Sequence, residues 1–325
     1  IQVAVVDTGV DADHTDINAN MVAFTTGSDT VNSDNDASDD EGHGSHVAGI
    51  IAAEHNGSGI HGVAYDAQIY AFKALDSNGT FYILNQNQGT PIIFIHGVGL
   101  NHKIWRPQFD VFENTIVAYD ILGHGQTPLE SSNLSFDNFS RQLLNLIDEL
   151  NFKKIHLVGF SIGSLIARNF AENYNNRLES LTLLCSIFKR SKEQQQIVND
   201  RFELSKKSRS LSKQALKRWF TDEYILQNPK IYEEISSMLN ENNMEDFLKI
   251  YELFVKHKDN EKFENIKVKT LIMTGEFDSG STPEMSKNLS KCIKNSKVKI
   301  IKNGKHLCSI ECADEVNHAI KLHVN

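Results

Sequence analysis

Short apolar runs alternate with helical patterns along most of this chain of 325 residues. From about residue 81 onward, the runs have the length and composition of buried strands. They are Pro91–His96, Thr115–Tyr119, the run that begins at Ile155, Leu178–Cys185, Thr270–Thr274 and Val298–Ile301. Apolar residues at helical spacing predict a helix at Phe136–Leu150, and the chain closes with a predicted helix at 313–323. This alternation predicts a fold of the α/β class, with a parallel sheet covered on both faces.

One long segment interrupts the alternation. From about residue 187 to residue 263 the sequence is rich in Lys and Glu, is helical in pattern and contains no strand-like run. Because this segment falls between two predicted strands, we predict that it forms a helical cap inserted into the fold.

The first 80 residues differ from the rest in charge and composition. They hold 13 acidic residues and one lysine, a net charge of −12, whereas residues 81–325 hold 29 acidic and 32 basic residues, a net charge of +3. All five prolines and all four cysteines follow residue 80. We therefore predict two domains, 1–79 and 80–325. The first contains strands at Ile1–Val6 and Ile69–Ala74, an acidic loop at 29–41 and a helix of small residues at 42–53.

The composition also bears on possible partners. The chain is 40% hydrophobic and 23% charged, which is ordinary for a globular protein in water. We expect neither membrane nor nucleic acid as a partner, because no apolar run approaches ~20 residues and no basic stripe carries interleaved aromatic residues. We expect no signal peptide at the start of this sequence, because no charged segment followed by an apolar one occurs there. The cysteines lack metal-site spacing and are predicted to be free thiols of a reducing compartment: Cys185, Cys292, Cys308 and Cys312.

The stretch Ile155–Ala167 carries the strongest chemical signal. It reads as a strand, a sharp turn and a helix, and its turn has the G-x-S-x-G pattern of a nucleophile elbow. Ser161 sits at the apex of the turn, and Gly159 and Gly163 allow the strand and the helix to approach. Such a bend lifts the Ser161 hydroxyl off the sheet and aims the N–H of Ile162 at a developing oxyanion. The same pattern also occurs in turns without chemistry.

Further motifs after residue 81 resemble those of the α/β-hydrolase family, and within it the esterases and enol-lactonase-like members that have a helical cap. They are His96-Gly97-Val98-Gly99, Asp120-Ile121-Leu122-Gly123-His124-Gly125, Gly275-Glu276-Phe277-Asp278 and Gly304-Lys305-His306. The resemblance covers about 81–325 and implies a parallel α/β-hydrolase sheet. Two features depart from it. Ile121 stands where many members have Arg, and only Phe81–Leu84 is available for the strands that usually precede the one at Pro91.

The resemblance implies a serine hydrolase with a Ser-His-Asp triad. In the family's order, Ser161 is the nucleophile, Asp278 is the orienting acid and His306 is the base. Glu276 competes with Asp278 for the role of the acid. The N–H of Val98 would complete the oxyanion hole with that of the residue after the nucleophile. The expected substrate is a small ester, thioester or lactone, and no metal or organic cofactor is expected.

Three candidate pocket residues come from a loop and from the cap. Trp105 follows the Val98 loop and is expected to line the pocket. In the cap, Arg218 and Trp219 are suited to hold a substrate carboxylate and an apolar group, although they fit a solvated helix with a packed aromatic residue nearly as well. Three polar residues of the loop motifs are expected to shape turns rather than to react: His96, Asp120 and His124.

Residues 1–79 resemble a fragment of the subtilisin-like serine proteases (the peptidase S8 family). The resemblance rests on the strand that ends at Asp7, the helix that begins near His43 and the segment Gly57–Leu75. It implies that Asp7 orients His43 as the base for a serine. The family's Gly-Thr-Ser-Met-Ala segment, which carries that serine, occurs nowhere in this sequence, so we predict a vestigial half-site without protease activity. The acidic loop at 29–41 offers oxygen ligands for calcium but no recognised loop pattern, and a solvated loop is the preferred interpretation.

Two alternative functions stay open at this level. A receptor or scaffold with the α/β-hydrolase fold could retain the triad without turnover. A subtilisin-like endopeptidase could be completed by a partner that supplies the missing serine. The protease-like part resembles secreted proteins, whereas the hydrolase-like part is expected to be cytoplasmic, and the sequence leaves the oligomeric state open.

Overall fold

The computed structural model describes residues 1–24, 28–29, 35–39, 42–73, 81–84, 89–109, 111–125, 127–129, 133–207 and 211–325. The side chains of His43, 81–84 and 211–213 lie outside this description. The chain divides into two compact units, Ile1–Phe81 and Tyr82–Asn325. Each unit has its own cluster of buried apolar residues.

The smaller unit is built on two parallel strands and one helix. They are β1 (Gln2–Asp7), α1 (His43–Ala52) and β2 (Gln68–Lys73). A short 3-10 turn lies at Asn18–Asn20. Small and β-branched side chains form the core of this unit, because the small residues of α1 allow close packing on the strands. The second strand matches its prediction at 69–73, while residue 74 lies outside the described part.

The larger unit contains a seven-stranded sheet. Its strands are β3 (Phe81–Leu84), β4 (Ile92–Ile95), β5 (Ile116–Tyr119), β6 (Ile155–Phe160), β7 (Leu178–Leu184), β8 (Lys269–Gly275) and β9 (Ser296–Ile301). The spatial order is β3-β5-β4-β6-β7-β8-β9, and the pairs from β5 to β9 are all parallel. Every residue of β4, β5 and β6 is buried, which is typical of a parallel sheet covered on both faces. The predicted α/β architecture is confirmed.

Eleven described helices accompany this sheet. They are α2 (Arg106–Phe109), α3 (Phe136–Glu149), α4 (Ile162–Tyr174), α5 (Lys192–Ser205), α6 (Leu211–Trp219), α7 (Asp222–Gln227), α8 (Pro229–Glu241), α9 (Met244–Lys256), α10 (Pro283–Ser290), α11 (Cys308–Glu311) and α12 (Ala313–Val324). The predicted helix at Phe136–Leu150 is correct to within one residue, because its apolar stripe and the capping box at Ser135 are both local signals. Helices α5 to α9 form the cap between β7 and β8.

Arg168 of α4 connects both ends of the cap to the helix that follows the elbow. Its guanidinium is fully buried and donates to the carbonyl of Ile187, at the start of the cap segment, over 2.8 Å. It also lies 2.7 Å from a carboxylate oxygen of Asp259 and 2.6 Å from one of Glu261, at the end of the segment. A buried cation with two carboxylates therefore fixes the two ends of the cap to α4.

The part of the chain that the structure describes includes no helix long and apolar enough to cross a membrane. The four cysteines are free, as predicted from their spacing, and Cys185 and Cys308 are buried.

Candidate active site

The loops that follow β4, β6, β8 and β9 meet at one edge of the sheet, because the carboxyl ends of parallel strands lie on the same side. Ser161 follows β6, with φ 56° and ψ −116°, a backbone conformation that L-residues rarely adopt. A Cβ at Gly159 would lie 2.2 Å from the carbonyl oxygen of Gly163, and a Cβ at Gly163 would lie 2.5 Å from that of Ile95. Only glycine fits at both positions, so the sequence forces a tight bend with Ser161 at its apex.

Asp278, His306 and Ser161 form a continuous chain of contacts. The Asp278 Oδ2 lies 2.7 Å from Nδ1 of His306, and the His306 Nε2 lies 3.2 Å from Oγ of Ser161. The other Asp278 oxygen accepts N–H bonds from Gly280 (2.8 Å) and Ser281 (3.0 Å). All three predicted triad residues are therefore brought together, with their functional atoms within hydrogen-bond reach.

The charges of the pair shift both pKa values. Burial raises the pKa of Asp278, but His306 and the N–H groups of Ser281 and Gly280 outweigh it and hold this pKa below its ordinary value. Burial lowers the pKa of His306, but the Asp278 carboxylate outweighs it and raises this pKa to about 10. Asp278 is thus an anion that stabilises positive charge on His306.

Glu276, the competing acid in the sequence, is exposed and accepts the N–H of Asn303. Asp278 is 3% exposed and is the carboxylate that contacts the histidine. Their different positions follow from the turn after β8, which points the first side chain outward and the second toward His306.

The loop after β4 lies against the elbow. A Cβ at Gly97 would lie 3.3 Å from the Cβ of Ser161, so the loop and the serine are in close contact. The backbone of Gly99, which follows Val98, is held by two hydrogen bonds. His124 accepts the N–H of Gly99 over 2.7 Å, and Asn242, after α8 of the cap, donates to the Gly99 carbonyl over 2.8 Å. These two bonds fix the loop segment that carries the N–H of Val98.

The polar residues of the first two loop motifs bind backbone. His96 is buried, contacts the carbonyl of Gly97 through Nδ1 (2.8 Å) and accepts the N–H of Ile121 at Nε2 (3.0 Å). Burial lowers its pKa to about 4, so it is neutral. Asp120 accepts from both the backbone N–H and the ring of His102, a contact that sequence reasoning missed.

A cavity of about 140 Å³ opens beside the triad. Its lining includes Ser161, His306 and Val98, together with residues of the cap. The predicted cap residues Arg218 and Trp219 both lie in this lining.

Trp105 does not belong to the cavity lining, and this corrects its prediction as a pocket residue. Its side chain is fully buried in the core, with its ring 4.8 Å from that of Phe94 and 6.4 Å from that of Phe160. The turn at His102–Trp105 directs the indole into the core rather than toward the site.

Several lining residues were missed by sequence reasoning. Arg190 and Arg201 reach the cavity from the segment before α5 and from α5 itself. Helix α9 contributes a face of aromatic residues: Phe247, Tyr251 and Phe254. Their spacing of four and three residues is a sequence signal for one helix face, but the pattern does not say what that face covers.

In the smaller unit, Asp7 ends β1 and accepts the N–H of Thr8 over 2.8 Å. A Cβ at Gly44 would lie 3.1 Å from the Cβ of Asp7, so Asp7 lies close to the start of α1. His43 is the first residue of that helix, but its side chain lies outside the described part. Most of the acidic loop, at 30–34 and 40–41, also lies outside it.

Two groups in the described part of the chain have metal-ligand types close together. The first is Asp278 and His306 with Cys185, where the carboxylate and the ring already bind each other. The second is His257, Asp259 and Glu261, where the guanidinium of Arg168 already occupies the position of a cation. Neither donor set fits a metal as well as the contacts it already makes.

Two family models match the sequence. The model of the alpha/beta hydrolase fold matches residues 90–312, and that of the Subtilase family matches residues 1–102. The two matches overlap at 90–102, where the structure forms β4 and the start of the following turn.

The similar proteins fall into the same two groups. The (E)-2-((N-methylformamido)methylene)succinate hydrolase of Acinetobacter baylyi is 27% identical over 254 residues, which are 76% of this chain and 95% of that protein. Subtilisin E of Bacillus subtilis is 45% identical over 80 residues, which are 25% of this chain and 20% of the protease. The crystal structure of the enol-lactonase from Burkholderia xenovorans LB400 matches with a TM-score of 0.70 and 21% identity, over 76% of this chain and 97% of the enol-lactonase. The chain thus spans nearly all of the first relative and about a fifth of subtilisin E.

Proposed function

The chain belongs to the α/β-hydrolase fold family, and on this premise we propose that it is a serine hydrolase that cleaves a small ester, thioester or lactone through an acyl-enzyme. The observation that carries the proposal is the chain of contacts from Asp278 through His306 to Ser161, at the wall of a cavity. The hydrolase and the enol-lactonase named above are similar over most of their lengths, which favours the same class of reaction.

In the proposed first step, Ser161 Oγ attacks the substrate carbonyl carbon while His306 Nε2 takes the hydroxyl proton. Asp278 stabilises the imidazolium that forms. The carbonyl oxygen becomes an oxyanion and accepts hydrogen bonds from the N–H groups of Val98 and Ile162. When the intermediate collapses, the leaving oxygen or sulfur takes the proton from His306, and the acyl group stays on Ser161.

In the second step, His306 removes a proton from water, and the resulting hydroxide attacks the acyl carbon. Collapse of this second oxyanion returns the proton to Ser161 and releases a carboxylic acid. A lactone follows the same path, except that its leaving oxygen stays attached to the acyl group.

The test is turnover of a neutral chromogenic ester, 4-nitrophenyl acetate, by the wild type and by Ser161→Ala. We expect the substitution to lower kcat by at least about 10⁴-fold, because triad residues act as a unit. Ser237→Ala, at an exposed position of α8, is the matched control and is expected to keep wild-type turnover. Retention of more than a tenth of the activity by Ser161→Ala would refute the proposed nucleophile.

We propose no catalytic role for the smaller unit. Its Asp7 and His43 occur without the serine segment of the subtilisin-like proteases, so we assign it no nucleophile. Casein digestion by full-length Ser161→Ala would contradict this and favour the endopeptidase alternative. Absence of ester turnover by the wild type over a broad panel would instead favour a non-catalytic scaffold.

A further inference from the structure

Three arginines face the proposed active-site cavity from three different positions. Arg190 lies in the segment before α5, Arg201 on α5 and Arg218 on α6, and all three line the cavity that also contains Ser161. Among the described lining residues, Asp278 is the acid, and it is bound to the histidine of the triad. In the form of the enzyme that can act as a base, His306 has lost its proton, and the charged lining groups then sum to +2.

The guanidinium of Arg190 is only partly compensated by the protein. Arg190 donates through Nη1 to the carbonyls of Phe254 and Val255, but its Nε and Nη2 are buried without a hydrogen-bond partner among the described residues. Asp259 is the carboxylate that favours the charged form of Arg190, but it is already bound by Arg168 and by the N–H of Lys189. Leaving a guanidinium buried with unused donors is costly unless a ligand supplies the acceptors.

The charges of Arg201 and Arg218 also repel each other. Burial, together with the nearby charge of Arg201, lowers the pKa of Arg218 to about 10. Burial lowers the pKa of Arg190 to about 10. Both groups remain cations at neutral pH, so their uncompensated charge is available to an anion.

The rest of the lining is suited to the carbon skeleton of a small acid. The Tyr251 ring lies 5.6 Å from that of Phe247 and 6.2 Å from that of Phe254, and these rings line the cavity. Burial raises the pKa of Tyr251, so its hydroxyl keeps a proton that it can donate. Planar guanidinium forks bind carboxylates through two parallel hydrogen bonds, which makes arginine suited to such groups.

We propose that the substrate of this cavity is an ester or lactone that carries two carboxylates in addition to the scissile carbonyl, bound by Arg190, Arg201 and Arg218. Two carboxylates neutralise the net charge of the lining and supply acceptors for the unused donors of Arg190. The inference rests on the proposed serine hydrolase activity and adds the substrate class to it.

The test compares three 4-nitrophenyl esters on the full-length chain: the acetate, the mono-ester of succinate and the mono-ester of tricarballylate. They carry zero, one and two carboxylates. We expect kcat/KM to rise roughly 10- to 100-fold for each added carboxylate, the range of hydrogen bonds to charged groups. Added salt is expected to weaken this preference by screening. A ratio of the tricarballylate ester to the acetate ester at or below one would overturn the proposal.

Arginine variants assign the preference to the cavity. Arg201→Gln and Arg218→Gln are each expected to lower the ratio of tricarballylate to acetate ester by roughly tenfold or more. Arg141→Gln, at an exposed position of α3, is the matched control and is expected to keep the wild-type ratio. Arg190 is left intact because it also binds the carbonyls at the end of α9. Ratios within twofold of wild type in both cavity variants would overturn the assignment.

Inhibition by free acids distinguishes a carboxylate site from a phosphate site without requiring any variant to fold. Free tricarballylate is expected to inhibit acetate-ester turnover by the wild type more strongly than glycerol 2-phosphate, and the reverse order would assign the cavity to a phosphate ester instead. Acetate-ester turnover that Ser161→Ala abolishes, combined with no carboxylate preference, would overturn this inference alone. Absence of that turnover would overturn the proposed function itself.

Discussion

The substitution Gly275→Ala tests whether close packing between the end of β8 and the loop before His306 sets the position of that histidine. A Cβ at Gly275 would lie 2.2 Å from the carbonyl oxygen of Lys305 and 2.4 Å from that of Gly304. Real Cβ atoms essentially never come within 3.0 Å of another heavy atom, so one side must shift by about 0.8 Å. Because Lys305 directly precedes His306, the shift stretches the 3.2 Å contact from Nε2 to Ser161 Oγ to as much as about 4.0 Å, beyond hydrogen-bond reach.

Misplacement of a catalytic group by about 1 Å can cost about 10²-fold in rate, or about 2.7 kcal/mol of transition-state stabilisation. We therefore expect kcat of Gly275→Ala on 4-nitrophenyl acetate to fall about 10²-fold, with a loss of about 1–3 kcal/mol in the free energy of unfolding from the overpacked contact. Gly49→Ala, in α1 of the smaller unit, is the control, because an added Cβ there meets its nearest neighbour, the side-chain Cδ1 of Ile60, at an ordinary 3.6 Å. A folded Gly275→Ala protein with kcat within threefold of wild type would refute the reasoning.

Three further outcomes are expected. The rate should rise with pH as His306 loses its proton, with a midpoint above the ordinary imidazole value because Asp278 raises the pKa of His306. Asp278→Asn should move this midpoint to lower pH and lower kcat by roughly 10³-fold or more, and an unchanged midpoint would contradict the pairing of the two residues. Arg168→Leu removes the buried cation from the two carboxylates at the end of the cap and should lower the free energy of unfolding in urea by about 3–5 kcal/mol, whereas a loss below about 1 kcal/mol would show that the buried cation is dispensable. Removal of residues 1–79 should leave ester turnover within twofold, because the triad and the cavity lining all belong to the larger unit, and loss of turnover would show that the hydrolase depends on the smaller one.

The strands and the elbow were predictable because their signals are local. A continuous apolar run such as Ile92–Ile95 reports burial on both faces of a parallel sheet, and the observed strand lies within the predicted limits. Gly159 and Gly163 are required because a Cβ at either position would clash with the backbone of a neighbouring element, so the turn is specified by its own residues. For the same reason the α/β architecture followed from the order of the elements.

The composition of the cavity was much less predictable. Arg218 and Trp219 were found through their chemistry, but Arg190, Arg201 and Tyr251 depend on how the cap helices pack over the sheet. Helical spacing identifies the face of a helix without saying what that face covers. Nearness to a motif also misleads. Trp105 follows the Val98 loop closely in sequence, yet the intervening turn directs it into the core.

The most direct test of the proposed mechanism is covalent labelling of the nucleophile. The full-length chain is treated with a fluorophosphonate, a serine-directed reagent that stops at the phosphonyl-enzyme, and the adduct is mapped by peptide mass spectrometry. We predict one adduct per chain, on Ser161, formed in step with loss of ester turnover and absent from Ser161→Ala. A stoichiometric adduct on another residue that accompanies loss of turnover, or full turnover after Ser161 is labelled, would contradict the role of Ser161 as the nucleophile.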